Sequence, residues 1–353
     1  MTTVKNITLY CTEGSSDKEY QASIVEADGG FHVNFAYGRR GSALKTGTKT
    51  NAPVPFEKAE KVYDSLVKSK TAKGYTEAES GARYVGTDLE ERDSGLSPML
   101  PSPIERHELD GLLRDPSWAA QEKHDGENRV LLIENDTVKG INRRGLFCSI
   151  REEWTALPGT AGAGRTIIAG EDMGDHFVAF DLITLAGEEV RENDLVSRHA
   201  MLVKVAAGIP WMKVSTLAVT HEDKVNLLAR VEQEQGEGIV AKRINAAYTG
   251  GRSLDHLKFK FQESATFEVI RVNDQRSVGL GLHATDGSIE DLGNVTIPAN
   301  HDIPAVGDLV EVEYMMRYEG GALMQPKYKG ARTDIDGKPS TNQITRIKFK
   351  KAA

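Results

Sequence analysis

Cysteine is nearly absent: Cys11 and Cys148 are the only two in 353 residues. Two thiols build neither a disulfide framework nor a four-cysteine zinc site, so structural metal is not expected. Long apolar runs are missing as well. No stretch approaches the roughly 20 residues that a membrane span needs, and no apolar segment follows Met1. The expectation is a cytoplasmic protein without membrane contact. An excess of basic charge is also lacking, since 44 Lys and Arg face 52 Asp and Glu for a net charge of −8. Taken alone, that sum argues against a polyanionic partner, because phosphate binding is driven by Lys and Arg.

The distribution of charge says something different. From Phe31 to Thr76 nine basic residues (Arg39, Arg40, Lys45, Lys49, Lys58, Lys61, Lys68, Lys70, Lys73) meet only three acids, Glu57, Glu60 and Asp64. The tail from Gln325 repeats the pattern, with eight basic residues against Asp334 and Asp336. A single charge run is usually a solvated face. Two basic blocks in an acidic chain are compatible with phosphate contact.

A hydrophobic content of 39% over this length supports two or three cores. Residues 1–84 read as a small α/β module. Phe31, Val33 and Phe35 alternate as in a half-buried strand, and Ala59, Val62, Tyr63, Leu66 and Val67 form one helical face behind Pro55. Residues 85–100, acidic and turn-rich, read as a linker. Residues 101–262 alternate strands and helices: Arg129 to Ile133, a turn at Asn135-Asp136, a returning strand to Ile141, and a helix marked by Val225, Leu228 and Val231. Residues 263–353 are β-rich, with Val310, Val312 and Tyr314 alternating, which suits a small barrel. The fold class expected is α+β and multidomain.

Chemistry centres on Lys123-His124-Asp125-Gly126. A lysine amine is a poor nucleophile while protonated, so it needs burial or neighbouring cations to become reactive. On its own this tetrapeptide reads as a surface turn. Further patches follow it in order: Asn142-Arg143-Arg144-Gly145, Ala169-Gly170-Glu171, Val178-Ala179-Phe180-Asp181, Glu237-Gly238-Ile239-Val240-Ala241-Lys242 and Leu257-Lys258-Phe259-Lys260-Phe261. Each has a dull reading as strand end, core aromatic or solvated face. Jointly they supply two carboxylates for a hard divalent cation, several cations for a triphosphate, and a ring to cover a purine.

These patches resemble the ordered motifs of the covalent nucleotidyltransferases, a family of ATP-dependent DNA ligases, RNA ligases and capping enzymes. The match runs from about Pro101 to Asp334. It implies a ligase-type adenylation domain followed by an OB-fold β-barrel, using ATP with Mg²⁺ or Mn²⁺. By resemblance Lys123 forms a phosphoramidate with AMP, Gln121 meets the adenine edge, and Phe180 stacks on the base. Arg143 meets the nick phosphate or the ribose, Glu171 and Glu237 bind ribose and metal, and Lys242, Lys258 and Lys260 surround the α-phosphate. FDLITLAGEEVRENDL and YTGGRSLDHLKFK read like cellular ATP-dependent DNA ligases, and GGALMQPKYKGARTD resembles the end of a ligase OB domain, where Arg332 would orient the pyrophosphate. Two positions depart from the pattern: Asn128 stands where an arginine is expected, with Arg129 one place late, and Ile335 stands where a basic residue usually follows Asp334, so that triphosphate activation would either rely on Lys338 or be weaker than usual.

Tyr37-Gly38-Arg39-Arg40-Gly41, the helix from Phe56 and Lys70-Thr71-Ala72-Lys73-Gly74-Tyr75 look like a WGR domain with tyrosine in place of tryptophan. Relatives of that module dock on DNA ends. The resemblance implies a monomeric DNA ligase of a bacterial or phage-infected cell acting on nicked duplex DNA, with Tyr37, Arg39, Arg40, Arg129 and Arg144 on the nucleic acid. An RNA ligase is the alternative enzyme, favoured by Gly126-Glu127-Asn128. A non-catalytic DNA-end-binding protein is the alternative of another class.

Overall fold

The computed structural model describes residues 2–13, 16–27, 29–77, 79, 83–84, 88–159, 163–318, 321–334, 339 and 347–348. Ile335 and Lys338 lie outside the described residues. The chain divides into two compact units, one of residues 88–261 and one formed by residues 1–87 together with 262–353.

In the second of these, β1 (Thr2–Glu13), β2 (Ser16–Ala27), β3 (Gly30–Arg39) and β4 (Lys45–Thr48) make an antiparallel meander. Helix α1 (Phe56–Thr71) covers one face. Leu9, Tyr20, Ala22, Ile24 and Val33 from alternate sheet positions pack on Ala59, Tyr63 and Leu66, with Val62 and Val67 at the margin, as the helical spacing predicts.

Residues 88–261 contain two facing sheets. The elements follow in order as β5 (Met99–Pro103), α2 (Arg106–Arg114), β6 (Trp118–Lys123), β7 (Glu127–Glu134), β8 (Thr137–Asn142), β9 (Phe147–Cys148), β10 (Thr166–Asp172) and β11 (Phe177–Leu185). Then come β12 (Glu188–Glu189), α3 (Leu195–Ala206), β13 (Met212–Val214), α4 (His221–Gln233), β14 (Gly238–Arg243) and β15 (Gly251–Lys260). The larger sheet runs β12-β11-β10-β7-β8-β9 with β13 on β11, and the smaller runs β5-β15-β14-β6. Asn135 and Asp136 turn β7 into β8 with φ of 50° and 62°, the left-handed pair that a two-residue hairpin loop demands.

Strand alternation assigns each face. Leu131, Ile133, Ile168, Phe177 and Ala179 point outward onto Leu202 and Ala206 of α3. Ala120, Ile239 and Phe259 point outward onto Leu109 and Leu113 of α2 and Leu227, Leu228 and Val231 of α4. The inward residues Val130, Leu132, Ile167, Ala169 and Ile183 form a third core with Phe180 against it. On α4 the buried face is Lys224, Leu227, Leu228 and Val231, while Val225, expected on that face, is 40% exposed. The Lys224 amine satisfies the carbonyls of Leu112, Asp115 and Trp118, which explains a lysine where an apolar residue would be sought.

From Glu263 onward come β16 (Glu263–Val272), β17 (Ser277–His283), β18 (Ile289–Thr296), β19 (Leu309–Tyr314), β20 (Arg317–Tyr318) and β21 (Lys327–Ala331). Their main sheet is antiparallel with the order β18-β17-β16-β19-β21 over a core of Phe267, Val269, Val278, Leu280, Leu292, Val310, Val312 and Tyr314. The expected barrel is met only as this open five-stranded path: among the described residues the edge strands β18 and β21 share no ladder of hydrogen bonds. No helix of the described residues is long and apolar enough to cross a membrane.

Gly238 is the tightest point of the smaller sheet. Its φ is +150°, and a Cβ there would lie 2.1 Å from the Phe259 carbonyl oxygen. Gly238→Ala is expected to cost roughly 3 kcal/mol, the sum of a strained backbone and a forced strand separation. All three tryptophans (Trp118, Trp154, Trp211) lie in residues 88–261, so urea unfolding followed by tryptophan fluorescence reads this unit directly.

Candidate active site

The sheet register gathers the singled-out residues between the two inner faces. Gly238 pairs with Lys123 on one side and Lys260 on the other, and Val240 pairs with Gln121 and Lys258. Lys123, Gln121, Lys258 and Lys260 therefore share one face, opposite to the one that packs on α2 and α4. Glu237, 4% exposed, immediately precedes the glycine. Its Oε2 accepts a hydrogen bond from Lys123 Nζ at 2.5 Å, and its Oε1 lies 2.6 Å from Lys260 Nζ. One buried carboxylate thus fixes two amines from flanking strands, which is how a buried charge becomes tolerable.

Glu171 stands at the end of β10, opposite Asn128 of β7. Burial pushes its carboxyl up to about 7, Glu237 adds to that rise, and Lys123, a hydrogen bond from Asn128, and Arg143 work against it. Its Oε2 is buried and has no hydrogen-bond partner, and neither has Asn128 Oδ1. The residue standing in place of the expected arginine therefore faces Glu171 directly. Arg129, one position on, turns instead to Glu127 on its own strand. Gly126 permits this closeness, because a Cβ there would lie 2.5 Å from the Asp172 carbonyl and 2.9 Å from Glu171 Cγ.

Burial, with Lys260, Arg143, Arg252 and Lys123 around it, lowers Lys258 to about 8. Arg143 is exposed in the β8–β9 turn, where Asn142 Oδ1 accepts from the backbone N–H groups of Arg144 and Leu146 and so shapes the loop. Gln121, 1% exposed, donates through Nε2 to the Ser215 carbonyl at 3.2 Å and leaves a buried Oε1 without a partner. Ser215 also meets His124 Nε2 at 3.3 Å and His199 Nε2 at 2.8 Å. Neither Ser215 nor His199 was singled out from sequence, where nothing marks a residue that acts through its backbone carbonyl.

Lys242 does not stand with the other lysines. Four residues along β14 from Gly238, roughly 13 Å at strand spacing, it lies beside Phe180, with Nζ 4.5 Å from the ring centroid and 3.3 Å from the Phe180 carbonyl oxygen. Lys242 thus sits at the Phe180 end of the inner face and not beside Lys123. Next to it, Asp181 is fully enclosed and receives Arg198 Nε at 2.7 Å and Nη2 at 3.2 Å.

The remaining singled-out residues belong to the other compact unit. Tyr37 is 43% exposed and stacks on Tyr20 and Phe35 at 6.3 and 6.2 Å. Arg39 is exposed, but Arg40 is held by Asp17 at 3.2 Å, by the Glu79 carbonyl at 2.7 Å and by the Tyr10 ring at 4.3 Å. Burial, then Lys73, Lys49 and Lys18, lower Lys70 to about 8, with its Nζ 4.0 Å from the Tyr20 centroid. Lys49, Lys70 and Lys73 of the basic block therefore converge on this aromatic row, joined by Lys18 from outside that block. Arg332 pairs with Asp334 at 2.8 Å and with Glu311 at 2.8 Å.

Comparison with known proteins is consistent with this geometry. The model of the ATP-dependent DNA ligase domain matches residues 167–260, and that of the WGR domain matches residues 5–82. The chain joins an ATP-dependent DNA ligase domain to a WGR domain. The first match holds Glu171, Phe180, Glu237, Lys242, Lys258 and Lys260 but stops short of Lys123, which enters the site through its bond to Glu237. Multifunctional non-homologous end joining protein LigD of Pseudomonas aeruginosa is 28% identical over 235 residues, 55% of this chain. The chain spans about a quarter of that relative, 27% of its length. Two solved structures share the fold over 67% of the chain: a Lig E DNA ligase (TM-score 0.50, 18% identity, 99% of it covered) and Pmar-Lig_Pre (TM-score 0.52, 16% identity, 67% of it covered).

A carboxyl raised to about 7 binds more protons folded than unfolded, so stability falls as pH climbs from about 4.5 to 7 and is level above that. Glu171→Gln is expected to remove a fall on the order of 2 kcal/mol over this window. Urea unfolding of both proteins at pH 4.5, 5.5, 6.5 and 7.5 measures it, and parallel curves would refute the assignment.

Proposed function

We propose that this protein is an ATP-dependent DNA ligase that seals nicks between a 5′-phosphate and a 3′-hydroxyl through an adenylate carried on Lys123. The observation that carries the reading is Glu237 held between Lys123 and Lys260, on sheets whose inner faces also carry Glu171, Lys258 and Phe180. In the first step Lys123 Nζ gives up its proton and attacks the α-phosphorus of ATP. A P–N bond forms, the α–β P–O bond breaks and pyrophosphate leaves. The nick 5′-phosphate then attacks the same phosphorus and releases the lysine. The 3′-hydroxyl finally attacks the activated 5′-phosphate, forming the phosphodiester and expelling AMP.

Before the first step the Lys123 amine must leave Glu237, since a hydrogen-bonded ammonium has no lone pair to use. Lys258, Lys260 and Arg143 supply preorganised positive charge to the phosphate region. A divalent cation suits the donors available: Glu171 has a buried oxygen without a partner, and Glu237 lies nearby, so two carboxylates plus substrate phosphates match the habit of Mg²⁺. When bound, such an ion would neutralise phosphate charge and favour ionised Glu171. The structural division proposed is a WGR-like module at 1–84, a linker at 85–100, an adenylation domain at 101–262 and an OB-type domain at 263–353, in which Arg332 must exchange Glu311 and Asp334 for pyrophosphate.

The WGR-like module is proposed to dock on DNA. Tyr37 and Arg39 are open to solvent, and Lys18, Lys49, Lys70 and Lys73 form no ion pair among the described residues. Arg40, by contrast, is engaged within the module.

Lys123→Ala is expected to abolish covalent labelling by ATP carrying a labelled α-phosphate, and labelling that persists would sink the reading. Sealing of nicks with DNA or RNA strands, compared side by side, discriminates the RNA ligase alternative. Arg39→Ala combined with Lys73→Ala should leave labelling of Lys123 intact but weaken binding to nicked DNA, lowering the slope of log affinity against log salt by up to about 2. An unchanged slope would remove the docking role.

A further inference from the structure

Lys242 is 3% exposed, yet its amine makes one hydrogen bond and no ion pair among the described residues. Asp181 accepts hydrogen bonds on both oxygens from Arg198 and attracts Lys242 through charge alone, with no hydrogen bond to its amine among the described residues. Arg198 in turn spends Nη1 on the carbonyls of Arg191, Asn193 and Ala246. His256, opposite Lys242 on β15, is pushed down to about 3 by burial and by Lys242 itself, so it stays a neutral imidazole and supplies no counter-charge. The ammonium is left against the Phe180 ring and the Phe180 carbonyl. A methionine would fill the same space without the cost of desolvating a charge, so packing alone does not account for a lysine here.

Resting on the ligase reading, we propose that Lys242 is a positioning residue for the nucleotide base. It grips Phe180 at backbone and ring from one side, so that the other side of the ring is presented to the purine. Two effects follow. Pinning the ring lowers the entropy that the base must otherwise remove on stacking. A cation against one ring face also draws π density toward it, which favours an electron-rich purine on the other face. Gln121 and Val240 lie two residues from Lys242 along paired strands, on the same inner face, between it and Lys123. The base would occupy that level, with its phosphates toward Lys123.

The test measures ATP affinity by calorimetry in the Lys123→Ala background, where no covalent step intervenes. Lys242→Met is expected to weaken ATP binding by ~5- to 10-fold, in line with a desolvated cation–ring contact, while unfolding at the same urea concentration or higher. Phe180→Leu should weaken it similarly, and the double variant no further than Phe180→Leu alone, because the lysine acts through the ring. Lys242→Gln, which keeps a donor for the carbonyl but no charge, should resemble Met. Affinity within twofold of the parent for Lys242→Met, or equal losses with and without Phe180, would overturn the proposal. Full affinity in Lys242→Gln would overturn the role of the charge. If Lys123 took no label in the unmodified protein while Lys242 still set ATP affinity, the ligase reading would fail and this one would stand. Normal labelling with affinity indifferent to Lys242 would do the reverse.

Discussion

One buried carboxylate organises the catalytic unit. Glu237 has both oxygens occupied by amines that arrive from different strands, so the positions of Lys123 and Lys260 are set by a single group rather than by each other. Two ammonium groups so close would repel if left alone. The acid reaches them because Gly238, directly after it, takes a backbone angle and a closeness to β15 that a side chain would forbid. Much of the site's geometry follows from that glycine: the register of β6 and β15 on β14, and through it which lysines face inward.

A second constraint is the shortage of counter-charge. Glu171, Lys258 and Lys242 are each held away from their ordinary protonation range by burial, and each lacks a close partner that would fully restore it. Sites of this kind are stable enough to fold but poorly satisfied when empty, which is the condition under which a charged ligand gains most by binding. For Glu171 and Lys258, the proposed nucleotide triphosphate with a divalent ion would offer both missing signs of charge at once.

Much of this was legible beforehand, for identifiable reasons. Strand alternation is a strict period, so Lys258 and Lys260 could be placed on one face from their spacing alone. The Asn135-Asp136 turn and the α1 face were readable because local chemistry decides them. Distance along a strand is not readable without the register, so the sequence does not reveal that Lys242 lies beside Phe180, apart from Lys123, Lys258 and Lys260. Val225 was misassigned because Lys224 enters the core to serve three carbonyls, a use that composition does not announce. Arg40 could not be separated from Arg39 by sequence, since only the fold reveals that Asp17, Glu79 and Tyr10 surround it. The C-terminal barrel was inferred from strand pattern, and pattern does not report whether a sheet closes.

Lys123 and the acid that fixes it are 114 residues apart in the chain. A ribosome adding about 5–20 residues per second leaves Lys123 without Glu237 for several seconds or more. During that time the lysine is present but its strand has no β14 to pair with, and the inward-facing lysines of β15 come later still. Partly made chains, and fragments that end before β14, carry Lys123 without the acid that fixes its position.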